Sequence, residues 1–492
     1  SHCGTIYWTT ITSLSHHHMP TGHWTTTTAS PVTSASSIAY HTNCFLIKMD
    51  RYFPKVSAVQ YRPDSGPEDT QVFKHYNPQE SVHGRSMEEW FNFAPCYFNS
   101  FRYTGGDDFL GDRAHLRFRE WEDKSDQKAL DPFKQRMKAA FQKLGVKFYA
   151  ASDRDFGPDC GSFEDTSSCL DEMVSLACEL QSQAGVKPLY FAADLFTSPR
   201  YINGAASSPD ISIYTYACAQ VKRALDMAKR LNAANFVFFH PRDGYQHSYL
   251  RYIFRDLAHM AHFYRMVLQY CEKIDYHGQL LIQPKPQDPR RHQYESDAAA
   301  TMHTLRHFGL ERQFRLYIKP AWSAMMNRVY EHDIYIAAAY NMLGMVDASE
   351  CHQELDTTSD MHAKSIRQCT AVMKVIIEQG GLQQGGFVLG GRLQRESLDA
   401  NDLFLGHILT MDTYARALKT AARIISDAVF SKNLQQKYLS YKTGFGERLD
   451  KGSTNLEECV EHVRSNGEPN PKSEQFEHFD SVWNYYVFPK SR

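Results

Sequence analysis

Two lysines and a few aspartates stand where short apolar runs of the chain stop. In order, the residues at these run ends are Ser152 and Asp155, Asp194, His240, Gln283 and Lys285, Lys319, Asp347, and Gly390. Taken singly, each is punctuation. Together they form a polar mouth of mixed sign, with two lysines facing the aspartates. A buried carboxylate with no cation beside it tends to protonate. Lys319 is therefore expected to answer Asp347, and Lys285 to pair with Asp360 or Asp194.

The runs that must position these groups are Lys147–Ala150, Pro188–Ala192, Phe236–Phe239, Leu280–Gln283, Phe314–Ile318, Gly344–Val346 and Phe387–Leu389. They are continuous and rich in aromatic or branched residues, which suits strands buried on both faces. Helical spacing lies between them. Leu170, Met173, Val174, Ala177 and Leu180 make one apolar stripe; Ile366, Val372, Val375 and Ile376 make another. Successive runs lie roughly 30–50 residues apart, the rhythm of repeated βα units and a parallel sheet. Seven units are visible, and an eighth strand is expected within Phe93–Phe101. Eight units closing on themselves make an α/β fold of the (β/α)8 TIM-barrel type, whose chemistry sits at the carboxyl ends of the strands. The competitor, an open doubly wound sheet, has no G-x-G-x-x-G after any early strand to support it.

The two ends of the sequence differ from this middle. Residues 1–48 hold no Asp, Glu or Arg and a single Lys, Lys48, while Thr, Ser and His dominate. This segment is expected to be a disordered low-complexity leader, foreign to the barrel. Residues 49–430 are expected to hold the barrel, with a strongly helical stretch from about 400 to 427. Residues 431–492 are expected to form a C-terminal helical or irregular arm, polar and irregular after Gln436, that lies on a neighbouring subunit or partner.

Composition narrows the function classes. The 492 residues carry a net charge of −2, which gives no reason to expect a nucleic-acid or membrane-surface partner. No apolar run is long enough to span a membrane. The 11 cysteines are scattered, with no C-x-x-C pair, so a reduced, intracellular protein is expected, cytoplasmic or organellar.

Several longer segments carry more specific information. They are F-K-H-Y-N-P (Phe73–Pro78) followed by Met87, Glu88 and Glu89, then F-T-S-P-R-Y (Phe196–Tyr201) and G-A-A-S-S-P-D (Gly204–Asp210). The most specific is L-L-I-Q-P-K-P-Q-D-P (Leu280–Pro289), continuing to H-Q-Y (His292–Tyr294). The last pair is D-L-F-L-G-H-I (Asp402–Ile408), followed by M-D-T (Met411–Thr413). In these motifs the sequence resembles the xylose isomerase family from about Met49 onward. The resemblance implies a TIM barrel, a C-terminal arm embracing a neighbour, and a homo-oligomer, usually a tetramer. It also implies metal-assisted interconversion of D-xylose and D-xylulose, with two divalent cations (Mg²⁺, Mn²⁺ or Co²⁺) polarising the sugar oxygens.

Position by position, the implied metal cage is largely substituted. The family's strand-end Glu is Gln283, the Glu bridging both metals is Lys319, and a His ligand aligns with Trp322. Further metal-binding carboxylates align with Thr358 and Gly390, while Asp347 and Asp360 remain. Counting two Asp and one Lys, the formal charge of the set falls from the family's −6 to −1. A lysine about 4 Å from a divalent ion is repelled by roughly 8 kcal/mol at an effective dielectric near 20. Ser152 stands where the family has its catalytic His; Asp155, which would orient that His, and Lys285, which assists at the reacting oxygen, are kept. Tyr103 and Phe239 align with two pocket tryptophans, and Phe109 with the phenylalanine that reaches across from a partner subunit.

Three functions are open on this reading. The first is a relative without catalysis or bound cofactor, serving a structural or assembly role as a homo-oligomer or within a larger complex. The second is a sugar-binding regulatory protein. The third is an active or weak xylose isomerase with a rebuilt site.

Overall fold

The computed structural model describes residues 56–100, 141–351, 360–394, 397 and 399–488. The leader at 1–48, Tyr103, Phe109 and Thr358 lie outside the described residues.

Eight parallel strands make the central sheet. They are β1 (Ala94–Pro95), β2 (Phe148–Ser152), β3 (Lys187–Ala192), β4 (Asn235–Phe238), β5 (Gln279–Ile282), β6 (Phe314–Ile318), β7 (Leu343–Asp347) and β8 (Phe387–Leu389). Their order is β1-β8-β7-β6-β5-β4-β3-β2, so each strand from β2 to β7 neighbours its successor in sequence and β8 neighbours β1. The ring closes between β1 and β2 through a parallel bridge, Cys96 to Ala150, with the Tyr97 amide donating to the Ala150 carbonyl at 3.0 Å. All eight expected strands are present, at most shifted by a residue or two at their ends. Helices follow the strands: α1 (Phe163–Ala184), α2 (Ile211–Arg230), α3 (Ile253–Lys273), α4 (Ala298–His307), α5 (His332–Ala339), α6 (Ile366–Gln379) and α7 (Ala400–Asp427). The protein is a (β/α)8 barrel.

Strand alternation sets the inside of the barrel. Ala94, Cys96, Ala150, Leu189, Ala192, Val237, Leu281, Tyr317, Met345 and Val388 form one buried cluster within the ring. Their neighbours in sequence, such as Phe236, Phe238, Ile282, Leu316, Ile318 and Phe387, pack in a separate core against the helices. Side chains two residues apart on a strand share a face. Moving two residues on from an interior residue therefore gives the next inward position, at the mouth. Ser152 follows Ala150 in this way, Asp194 follows Ala192 and Phe239 follows Val237. Gln283 follows Leu281, Lys319 follows Tyr317, Asp347 follows Met345, and Gly390 follows Val388. The polar mouth seen in the sequence is this layer.

The helices end where local chemistry directs. Ser162 caps α1 by accepting from the Asp165 amide, and Gly185 ends it in the left-handed region at φ 67°. Asp210 and Asp297 cap α2 and α4 in the same manner as Ser162.

The arm differs from the sequence expectation. Beyond Gln436 it is helical rather than irregular: α8 (Val429–Lys437) is followed by a short helix at Gly444–Asp450, then α9 (Leu456–Asn466) and α10 (Phe476–Val487). A capping box starts α9, with Asn455 accepting from the Glu458 amide and Glu458 accepting from the Asn455 amide. No residue of α8 or α9 is buried, so the apolar periodicity that marks a core helix is thin there. α10 docks on the barrel helices: Arg367 pairs with Asp480 at 2.5 Å, and the Tyr486 hydroxyl donates to Asp427 at 2.8 Å.

Candidate functional site

Lys319 ends β6 on its inward face, and the backbone then turns into a short helix, Pro320–Met325, that carries Trp322. The Lys319 side chain is 3% exposed, and its ammonium lies 2.8 Å from the Asp360 carboxylate, itself 8% exposed. The expected partner was Asp347, so this is a correction. Asp347 is already engaged: its carboxylate accepts from the Tyr317 hydroxyl at 2.8 Å and from the Ser349 hydroxyl at 2.5 Å. Lys319 still acts on Asp347 through space. Burial works to lower the Lys319 ammonium; Asp360 first and Asp347 second overcome it, and the net direction is upward. Burial pushes the Asp347 carboxyl up, opposed by Lys319 and by its hydroxyl donors. Arg392, two residues beyond Gly390, adds a guanidinium 3.8 Å from Asp360.

Lys285 follows β5 and also points into the mouth. Its acid is Asp288, at 3.1 Å, rather than the expected Asp360 or Asp194. Asp194 instead closes its own turn, accepting from the Thr197 amide at 2.9 Å and the Thr197 hydroxyl at 2.7 Å. Burial holds the Lys285 ammonium below the usual lysine range, with Asp288 opposing and the nearby Lys319 reinforcing the shift. Both ammonium groups sit near the Trp322 ring, 5.8 Å from its centroid for Lys285 and 5.2 Å for Lys319.

Aromatic rings wall the opening. Trp322 stacks on Phe239 with centroids 5.8 Å apart and planes at 11°, and Phe239 meets Phe196 edge-on at 5.2 Å. With Phe98 they border a cavity of about 420 Å³ that reaches down to Tyr190 and Tyr317. Its lining includes Ser152, Asp155, Gln283, Lys285, Lys319, Asp347 and Asp360. With Asp194, which also lines it, eight residues singled out in the sequence thus share one cavity, and Phe239 and Trp322 form its wall.

The remaining sequence candidates have local roles. The Asp155 carboxylate accepts from both the amide (2.7 Å) and the hydroxyl (3.0 Å) of Ser152, as a helix cap would. His240 lies outside the cavity. It shares the outward face of Phe238, and its Nδ1 meets the Tyr264 hydroxyl at 3.2 Å and the Glu295 carboxylate at 3.4 Å. Sequence reading missed Tyr317, Asp288, Arg242 and Arg392. Tyr317 and Arg392 share the inward alternation of Lys319 and Gly390, which is the signal that could have found them. Asp153 was also missed; it is fully buried, accepting from the Asp194 amide and the Gln220 side chain at 2.8 Å each.

The two divalent cations implied by the resemblance do not fit the described residues. Hard cations need several oxygen ligands and charge compensation. Here the Lys319 ammonium is already paired with Asp360, Gln283 is neutral, Trp322 offers no lone pair, and Gly390 has no side chain at all. Among the described residues no three His, Cys, Asp or Glu side chains gather as a metal group. No helix among them is long and apolar enough to cross a membrane.

Comparison with known proteins shows the family. The model of the XylA2 C-terminal domain matches residues 434–487, which is the arm. A xylose isomerase of Arabidopsis thaliana is 35% identical over 425 residues, covering 86% of this chain and 88% of that protein. That of Enterococcus faecalis is 33% identical over 440 residues, covering 89% of this chain and 100% of its own. Among solved structures, a putative xylose isomerase from Rhodospirillum rubrum matches with a TM-score of 0.45 at 14% identity, over 60% of this chain and 95% of that one. With relatives above 30% identity along most of its length, the protein belongs to the xylose isomerase family.

Proposed function

We propose that this family member no longer interconverts xylose and xylulose and instead serves a structural or assembly role. The observation that carries the reading is the buried Lys319–Asp360 pair at 2.8 Å. A cation built into the barrel mouth answers Asp360 directly and Asp347 through space, as a metal would have done. A divalent ion there would meet like charge and would have to displace a paired ammonium from Asp360. Proton transfer is weakened as well, since the Ser152 hydroxyl has no charge change near neutral pH and cannot replace an imidazole.

The assembly role is supported by the arm. Leu434, Tyr438, Leu439, Leu456, Val460 and Phe476 are all exposed there, on helices that have no core of their own. The test is turnover of D-xylose with Mg²⁺ and with Mn²⁺, beside elemental analysis of the purified protein. No turnover and no bound metal are expected. A rate comparable to that of an ordinary family member would overturn the reading.

A second reading, ligand binding without turnover, is favoured by the aromatic-walled cavity. About 420 Å³ lies within the range of small-molecule sites.

A further inference from the structure

We propose that the barrel mouth is a receptor for a small polyhydroxylated anion, a carboxylate or phosphate carried on a polyol, rather than for a neutral sugar. The proposal rests on the ligand-binding reading and names the ligand class.

The spare donors of the cavity are mainly cationic. Every carboxylate facing the cavity already holds a protein donor. Asp155 accepts from Ser152, Asp194 from Thr197, and Asp347 from Tyr317 and Ser349. Asp288 and Asp360 are paired with Lys285 and Lys319. The donors are not used up in this way. An ammonium has three N–H groups, and each lysine gives one to its aspartate. Arg242 lines the same cavity; its Nε donates to the Phe196 carbonyl at 2.6 Å, and among the described residues its two terminal nitrogens meet no protein acceptor. The Gln283 side-chain amide likewise has no protein partner among the described residues and lines the cavity.

A neutral polyol could be served by the carboxylate lone pairs that remain, but only an anion meets the spare N–H groups of Lys285, Lys319 and Arg242 with opposite charge. Anionic oxygens only accept. They suit the cationic N–H groups that remain at Lys285, Lys319 and Arg242, and hydrogen bonds to a charged acceptor are roughly twice as strong as neutral ones. The two buried ammonium groups also repel each other, which is one cause of the lowered Lys285. An anion between them relieves that repulsion. The polyol carbons would lie against Phe239 and Phe196, which offer apolar faces.

The experiment is isothermal titration of the full-length protein with D-xylonate, D-ribose 5-phosphate and xylitol at low and moderate salt. At least one of the two anions is expected to bind ten-fold or more tightly than xylitol, and to weaken as salt rises. Xylonate alone binding would assign a carboxylate, ribose 5-phosphate alone a phosphate, and either supports the proposal. Lys285→Met leaves Asp288 half-exposed and solvated, so that variant should fold; together with Arg242→Gln it tests the donors. Each is expected to cut anion affinity several-fold and to change any weak xylitol binding far less. Equal binding of xylitol and the anions, or unchanged anion affinity in both variants, would overturn the anion proposal while keeping the ligand-binding reading. Binding of none of the three probes would overturn both.

Discussion

The Asp347 carboxylate fills the space that a side chain at Gly390 would need. A Cβ built on Gly390 would stand 2.2 Å from one Asp347 oxygen and 2.6 Å from the other. The two residues end neighbouring strands, paired in register through Asp347 and Val388. The lack of a side chain at Gly390 and the hydrogen bonding of Asp347 by Tyr317 and Ser349 therefore depend on each other. Gly390→Ala should destabilise the fold by about 1–3 kcal/mol, the usual cost of overpacking a tight site. Denaturant titration measures it. The same substitution in an Asp347→Ala background should cost clearly less, because the clashing carboxylate is gone. Equal costs in the two backgrounds would show that Asp347 can move aside freely.

Lys319 carries the next prediction. Removing one partner of a buried ion pair typically costs about 3–5 kcal/mol, because the other charge stays behind without compensation. Lys319→Met should show a loss of that size, and adding Asp360→Leu should recover most of it. A Lys319→Met variant as stable as the parent would mean that Asp360 reaches solvent or takes up a proton at little cost.

The same position tests the metal argument. Lys319→Glu with Gln283→Glu returns two carboxylates to the mouth beside Asp347 and Asp360. Equilibrium dialysis against Mn²⁺ should detect binding in the double variant and none in the parent protein. Xylose turnover should stay absent, since Ser152, Trp322 and Gly390 still lack the family's side chains. Mn²⁺ binding by the unaltered protein would contradict the claim that Lys319 and a divalent ion exclude each other.

The barrel was legible because its strands are buried on both faces and read as continuous apolar runs at a regular interval. Once those runs are placed, alternation puts Ser152, Gln283, Lys319, Asp347 and Gly390 in one layer without any coordinates. Partner choice within that layer was not legible. The Lys319 ammonium goes to Asp360 because two hydroxyls, Tyr317 and Ser349, have already engaged Asp347, and that competition is visible only in three dimensions. His240 was misplaced because Phe239 and His240 both follow β4, and only one of two successive residues can face inward. The helices of the arm were not legible beyond Gln436 because they bury little, Val487 on α10 being the exception, and the one short apolar stripe, Leu456, Val460 and Val463 on α9, is exposed among polar residues.

Two buried histidines predict a pH dependence away from the mouth. His407 on α7 donates from Nδ1 to the Leu403 carbonyl at 2.6 Å, an assignment that follows because a carbonyl can only accept. Burial pushes the His407 imidazole down to about 4. His362, whose ring centroid is 5.3 Å away, is pushed well below the usual range, by burial first and by His407 second. Both fold in the neutral form. Between pH 6.5 and about 4 the unfolded state holds more protons than the folded one, so stability falls as pH falls through that window. The His407 share approaches about 3 kcal/mol at its lower end, at about 1.4 kcal/mol per pKa unit. Urea unfolding at pH 7.5 and pH 5 should show the loss, and His407→Gln should reduce it. An unchanged difference between the two pH values in that variant would place the titration elsewhere.

The arm gives the last prediction. Leu456, Val460 and Val463 stand at spacings of four and three on α9, which puts them on one stripe of the helix. All three are exposed, Leu456 at 81%, and the capping box at Asn455 and Glu458 starts the helix without help from packing. An amphipathic helix of this length has little stability alone, so its apolar stripe needs a surface to cover. If the arm serves assembly through this stripe, the protein should run in light scattering as a multiple of its own mass. Val460→Asp with Val463→Asp should shift it toward the mass of a single copy, with the barrel's thermal transition retained. A parent protein that already runs as a single copy would remove self-assembly as the arm's role, and an unchanged assembly in the double variant would remove α9 as its contact.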